Sequence, residues 1–201
     1  MHMAQLTLEQ GRFRLDRLTR ALSWLLPTTA ILMVLTIGTV EVGLPPAIAG
    51  LFAVLLLVAF PVCAIMVAFW FHRANANLHD AGIAMNHGPH MAWIWFLVPI
   101  ANLFKPYQVL REIWVDSHRL ADSFAAPSPS QLGLWWGGWI VSTVLFRIAD
   151  TLTLGGGAKG VAVIVTVAAL ATFSASTLAL RTLIREVNTA QHGLADAAVF
   201  A

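Results

Sequence analysis

Apolar residues in this chain come in long runs and do not alternate with polar ones. Residues 21–40, 47–71 and 160–180 contain no Asp, Glu, Lys or Arg, and 132–153 contains only Arg147 and Asp150. A run of about 20 apolar residues is what an α-helix needs to cross a hydrocarbon core of roughly 30 Å. The pattern therefore predicts four transmembrane helices. Gly43, Pro45 and Pro46 follow the first run and cannot easily continue its helix, so a tight turn is expected there. Pro61 lies mid-way along the second run and predicts a kink. That run ends at Trp70, His72 and Arg73, an aromatic and basic border of the kind found at membrane surfaces, which places 75–90 outside the hydrocarbon. The short stretch 155–159, rich in glycine, joins the last two runs.

A fifth apolar stretch, 91–104, breaks the pattern. It is short, it is interrupted by Pro99 and Pro106, and Lys105, Tyr107, Gln108 and Arg111 follow it. Two topologies compete. In one, 91–114 is a broken re-entrant or interfacial element and both termini share a side with Arg12, Arg14, Arg17, Arg20, Arg73, Lys105, Arg111, Arg119, Arg181 and Arg185. Lys159 is then the only basic loop residue opposite. A five-span chain would instead move five of those cations outward, against the tendency of basic residues to stay inside. The expected fold is thus an all-α, polytopic transmembrane bundle of four full spans plus a broken element, in one domain over 1–201, with cytoplasmic termini.

Composition narrows the class further. Of 201 residues, 58% are hydrophobic and 11% charged, against roughly 25% charged in soluble domains. The formal charge of +2, with arginines clustered beside apolar runs, gives no basic face for nucleic acid. Cys63 is the single cysteine, so no intrachain disulfide is possible. The first 20 residues are too polar for a cleaved secretory signal; Phe13, Leu15, Leu18 and Leu22 suggest an interfacial lead-in, with Arg12, Arg14, Arg17 and Arg20 reaching head groups.

The polar residues with most chemistry flank the broken element. Trp70, Arg73 and Asn77 close the second run; Pro99, Asn102, Leu103, Lys105, Pro106 and Tyr107 follow, then Glu112 and Trp114. Together they resemble a bacterial membrane-protein family catalogued as domain of unknown function 4328. The resemblance rests on a Trp, Arg and Asn near a span's end, a Pro-x-x-Asn-Leu-x-basic-Pro-Tyr stretch and a Glu-hydrophobic-Trp. It implies a membrane fold, but no activity, substrate or cofactor.

Read physically, Trp70, Arg73, Asn77, Trp95, Asn102, Lys105, Tyr107, Glu112 and Trp114 are candidate ligand-binding residues. Amides and cations at membrane depth must pair or line a wet cavity. A cationic floor with aromatic walls from Trp95 and Trp114 would suit an anionic amphiphile, a phospholipid or a polyprenyl phosphate. Glu112 is the expected neutraliser of Lys105 or Arg73. The alternative is that these groups bond to one another and to carbonyls freed by the prolines, bracing the bend as polar glue.

Other features point elsewhere. His72, His79, His87 and His90 lie close in sequence, but Gly88 and Pro89 spoil helical spacing and no ligand set is recognisable, so no metal is assigned and surface solvation is expected. Arg147 and Asp150, three apart, form a candidate ion pair that snorkels to the interface. Gly133 and Gly137, with Ala168, Thr172 and Ser176, make two small-residue stripes suited to helix packing, within the bundle or against another subunit. No phosphate loop, nucleophile elbow or zinc-protease motif is present. The expectation is a non-catalytic structural or regulatory subunit of an inner-membrane assembly, its partners being lipids and other membrane subunits or itself, with no cofactor identified. The alternatives are a small carrier or channel, and a lipid head-group enzyme.

Overall fold

The computed structural model describes residues 2–120, 129–156 and 159–199; side chains of 2–8, 119–120, 129 and 193–199 lie outside the description. Among the described residues the chain forms six α-helices and no strand. They are α1 (His2–Glu41), α2 (Pro46–Asp80), α3 (Met91–Ile94), α4 (Lys105–Leu120), α5 (Pro129–Leu154) and α6 (Lys159–Val199), with a 3-10 turn at Ala101–Leu103. Four helices are long and apolar enough to cross a membrane: Glu9–Glu41, Pro46–Asp80, Ser130–Leu154 and Lys159–His192.

Helix ends follow local chemistry. Gly43 takes φ 74° after α1, and Gly43 N–H and Leu44 N–H donate to the Val40 and Thr39 carbonyls at 3.1 and 3.0 Å. Gly82 does the same after α2, at φ 81°, with Gly82 and Ile83 donating to His79 and Leu78 at 2.9 and 3.0 Å. Both are glycine C-caps in the left-handed conformation that only glycine adopts without penalty.

Three boundaries differ from the sequence expectation, one being that of α6, which runs past residue 180 to Val199. The helix α2 does not stop at Arg73; it runs on to Asp80, and Trp70, Phe71, Ala74, Asn75, Asn77 and Leu78 are buried almost all round. The polar residues after Phe71 find partners inside the protein, so the aromatic and basic border does not end the helix. The lead-in and first span are likewise one helix, α1, whose buried face is Gly11, Leu15, Thr19 and Leu22, while Phe13 is exposed. Spacings of four, four and three residues make that stripe one helix face. Residues 157–158 of the expected glycine turn and the side chain of Arg119 lie outside the described residues.

The helices group into two compact units. One comprises the described residues of 2–23, 64–132 and 181–199, the other Trp24–Cys63 and Gly133–Leu180. The second unit is built from the middle of the apolar runs. Its large side chains are exposed on many positions, among them Ile31, Leu51, Val54, Leu57, Ile164 and Val167, a surface suited to hydrocarbon and not to water. Its threonines look after themselves: Thr28, Thr36, Thr143, Thr166 and Thr177 each donate to the carbonyl four residues back at 2.7–2.9 Å. No hydroxyl among these five needs a partner from lipid.

Aromatic stacking fills that unit. Trp139 lies between Phe60, at 6.3 Å, and Phe173, at 6.0 Å. The close helix approach is at Gly138, where a Cβ would meet Ser176 Cβ at 3.0 Å and the Thr172 carbonyl at 3.3 Å. Ser176 donates its hydroxyl to the Trp135 carbonyl. Thr172 and Ser176 therefore do pack, but against Gly138; Gly133 and Gly137 are exposed with no atom near them, and Ala169, not Ala168, is the buried alanine. One residue turns a helix by about 100°, so the glycine that matters is set by which face α5 presents. Arg147 and Asp150 are both exposed and do not pair with each other among the described residues.

Candidate functional site

The first unit gathers the residues singled out from the sequence, but sorts them into three separate groups. In the first, Arg73 on α2 is clamped along its own helix. Its Nε donates to Asn77 Oδ1 at 2.7 Å and its Nη2 lies 2.6 Å from Asp80 Oδ2. Asn77 Nδ2 donates in turn to Gln191 Oε1 at 2.9 Å, and Gln191 Nε2 donates to the Ala74 carbonyl and to Ser117 Oγ, both at 3.0 Å. Asn77, Ser117 and Gln191 are buried. The chain of bonds thus ties α2, α4 and α6 together, with α1 closing the fourth side: a Cβ on Gly11 would lie within 3.0 Å of Asn77 Oδ1 and of Arg73 Nη2 and Cζ.

These positions follow from helix faces. On α4 the buried residues are Pro106, Val109, Leu110, Ile113, Trp114 and Ser117, and on the described part of α6 beyond residue 180 they are Leu183, Ile184, Val187, Ala190 and Gln191. Each set recurs at three or four residues, one stripe per helix. Ser117 and Gln191 are the polar members of those stripes. Gln191, Ser117, Asp80 and Gly11 were not among the candidates. The available signal was a Gln and a Ser standing on otherwise apolar faces.

The second group centres on Glu112. Its carboxylate accepts from the Asn86 backbone N–H, from Asn86 Nδ2 at 3.0 Å, and faces His87 Nδ1 at 2.6 Å. Glu112 therefore neutralises neither Lys105 nor Arg73: the 83–90 loop folds over α4 and takes it first. The His87 carbonyl accepts from Asn75 Nδ2 at 3.0 Å and faces His79 Nε2 at 3.3 Å, while His72 Nδ1 lies 3.0 Å from the Pro89 carbonyl. Because carboxylate and carbonyl oxygens only accept, each of these ring nitrogens carries the proton. His72, His79 and His87 are thus engaged in holding the loop and are not simply solvated. No group of three or more His, Cys, Asp or Glu suited to a metal occurs among the described residues.

Trp70 and Trp114 are structural in setting. Trp70 is fully buried and donates its indole N–H to Thr19 Oγ1 at 3.0 Å. Trp114 stacks on His118 with centroids 3.5 Å apart and donates to Glu186 Oε2 at 3.3 Å. Both indoles bury area while satisfying their one donor.

The third group is the broken element itself. Between α3 and α4 the backbone passes through successive single turns, Phe96 to Trp93, Leu97 to Ile94, Asn102 to Val98 and Leu103 to Ile100. Lys105 opens α4, its Nζ 5.4 Å from the Trp95 ring centroid and 6.0 Å from that of Phe104. Among the described residues Lys105 has no carboxylate or hydrogen-bond partner. Trp95 Nε1 and Asn102 Oδ1 are closed off from solvent and also lack partners. Tyr107 is half-buried beside them in sequence. Around this group Leu97, Val98, Ile100, Leu103 and Phe104 are exposed.

Of the nine candidates, then, Arg73 and Asn77 share one network, Glu112 anchors another, and Trp95, Asn102 and Lys105 remain in a third with unused capacity. No curated protein and no solved structure matches the chain. The model of one family covers residues 35–189, well over half the length and including all nine candidates, and the chain belongs to that family, described as a domain of unknown function, DUF4328.

Proposed function

We propose that the protein is a non-catalytic, multi-pass component of the cytoplasmic membrane, structural or regulatory in role, that binds an anionic amphiphile at the broken element between α3 and α4. The observation that carries this reading is the contrast between the three polar groups. Arg73, Asn77, Gln191 and Ser117 satisfy one another, and Glu112 is held by Asn86 and His87. Among the described residues other buried polar atoms also lack partners, Asn75 Oδ1, Arg12 Nε and Arg181 Nε. Trp95 Nε1 and Asn102 Oδ1, however, lie in the same broken element as Lys105, a cation set against an aromatic ring. The exposed apolar residues beside them favour a ligand with an acyl or prenyl tail.

A head-group enzyme would need Arg73, Asn102, Lys105, Tyr107 and Glu112 around one cavity; Arg73 and Glu112 are committed elsewhere, which weighs against it. The basic residues of the first unit, Arg14, Arg17, Arg20, Lys105, Arg111 and Arg185, favour a cytoplasmic placement for that unit. Purification in mild detergent followed by native mass spectrometry tests the reading. Retained lipid or a retained membrane subunit supports it; a lone, lipid-free chain overturns it.

A further inference from the structure

We propose that Trp95, Asn102 and Lys105 form the headgroup site for an anionic phospholipid whose headgroup also carries a hydroxyl, the chemistry of a phosphatidylglycerol. This deepens, and rests on, the amphiphile-binding reading above.

Three groups of matching chemistry lie in one eleven-residue stretch, two of them, Lys105 and Trp95, in contact. Lys105 is a cation held beside two aromatic rings, 5.4 and 6.0 Å from their centroids, with no acid against it among the described residues. No described carboxylate supplies its counter-charge, which leaves it free to meet an anionic ligand. A lone Lys at a membrane surface attracts phosphate as a point charge. Trp95 supplies a donor, Nε1–H, and Asn102 an acceptor, Oδ1, each shut off from solvent and unpaired. An unmet buried donor or acceptor costs about 1–3 kcal/mol, so a ligand that engages it relieves that cost on binding. The phosphate takes Lys105 and the indole N–H; the glycerol hydroxyl donates to Asn102. Trp95 Nε1 and Asn102 Oδ1 are both covered by protein, so both side chains turn outward to meet the ligand.

The neighbouring surface selects a lipid over a free phosphate. Leu97 and Ile100 are 71% and 77% exposed, and Leu103 and Phe104 flank the Lys105 backbone from the same turns. Acyl chains cover such residues; an inorganic ion leaves them in water.

The test uses the full chain in nanodiscs of phosphatidylcholine containing a minority of phosphatidylglycerol, with lipid retained on the protein counted after detergent extraction. The wild type is expected to enrich phosphatidylglycerol over phosphatidylcholine, and excess inorganic phosphate should leave that enrichment in place. Lys105→Gln should lower it about tenfold, the scale of one charge-assisted hydrogen bond. Trp95→Phe, which keeps the ring and removes the N–H, should lower it several-fold by the same loss of a hydrogen bond. Lys105→Arg keeps the charge and should retain the lipid, which separates binding from folding. Arg111→Gln removes an exposed cation on α4 and should change nothing. Equal losses in Arg111→Gln and Lys105→Gln would show general surface attraction and overturn the site. Undiminished enrichment in Lys105→Gln and Trp95→Phe would also overturn it while leaving amphiphile binding intact. A wild type with no retained lipid of either kind removes both readings.

Discussion

Gly11 and Gly38 both lie inside α1, yet their surroundings are opposite. A methyl at Gly11 would press into the Arg73 guanidinium and the Asn77 amide, whereas nothing lies within 4 Å of Gly38. Gly11→Ala is therefore expected to destabilise by about 1–3 kcal/mol through overpacking of fixed, hydrogen-bonded groups. Gly38→Ala should be neutral or stabilising by up to about 1 kcal/mol, because a helix interior favours Ala. Unfolding titrations in mixed micelles would decide; equal effects would mean that Arg73 and Asn77 do not rest on α1. Gln191 offers a second check. Its amide meets Asn77, the Ala74 carbonyl and Ser117, so Gln191→Leu leaves polar atoms on α2 and α4 unmet inside the protein. The expected loss is about 2–4 kcal/mol, given about 1–3 for each group stranded without water. The same titration reads it.

At the scale of the helix, composition located each span but not its working face. The stripe on α5 seemed to be Gly133 and Gly137, by the usual small-residue spacing, and the glycine in contact is Gly138. Spacing rules state that small residues permit close approach; they do not state which side meets a neighbour. Gly138→Leu should accordingly lower thermal stability in detergent by about 1–3 kcal/mol, while Gly133→Leu stays within about 0.5 kcal/mol of the wild type. A larger loss for Gly133→Leu would reverse that assignment. The extension of α2 to Asp80 was illegible for a related reason. Asn75, Asn77, His79 and Asp80 look like loop composition, yet Asn75 bonds to the His87 carbonyl and Asn77 to Gln191. Polar side chains with partners inside the fold do not end a helix. Likewise α6 was expected to finish with its apolar run at 180, and the partner of Asn77 lies beyond it.

For the whole molecule, four spans imply that the 42–45 and 155–156 turns lie across the membrane from the 83–90 loop. With Cys63→Ser as background, single cysteines at Gly43 and Gly155 should be labelled by an impermeant thiol reagent from one face only. A cysteine at Gly88 should be labelled only from the other. Labelling of the cysteines at Gly155 and Gly88 from the same face, opposite Gly43, would favour five spans. The four long apolar helices were readable in advance because transfer into hydrocarbon sums over about 20 consecutive residues and needs no partner elsewhere in the chain. The broken nature of 91–104 was readable for the same reason, from Pro99, Pro106 and the polar residues that follow. What the tertiary structure alone decided is which polar groups consume one another. Arg73 meets Asn77 within a helix turn, but Asn77 meets Gln191 at 114 residues' separation, and Glu112 goes to the 83–90 loop and not to a cation. A hydrogen bond depends on position within a few tenths of an ångström and on which face each helix turns inward. Composition fixes the solvent of a segment, and only the packed chain fixes the partner of a side chain.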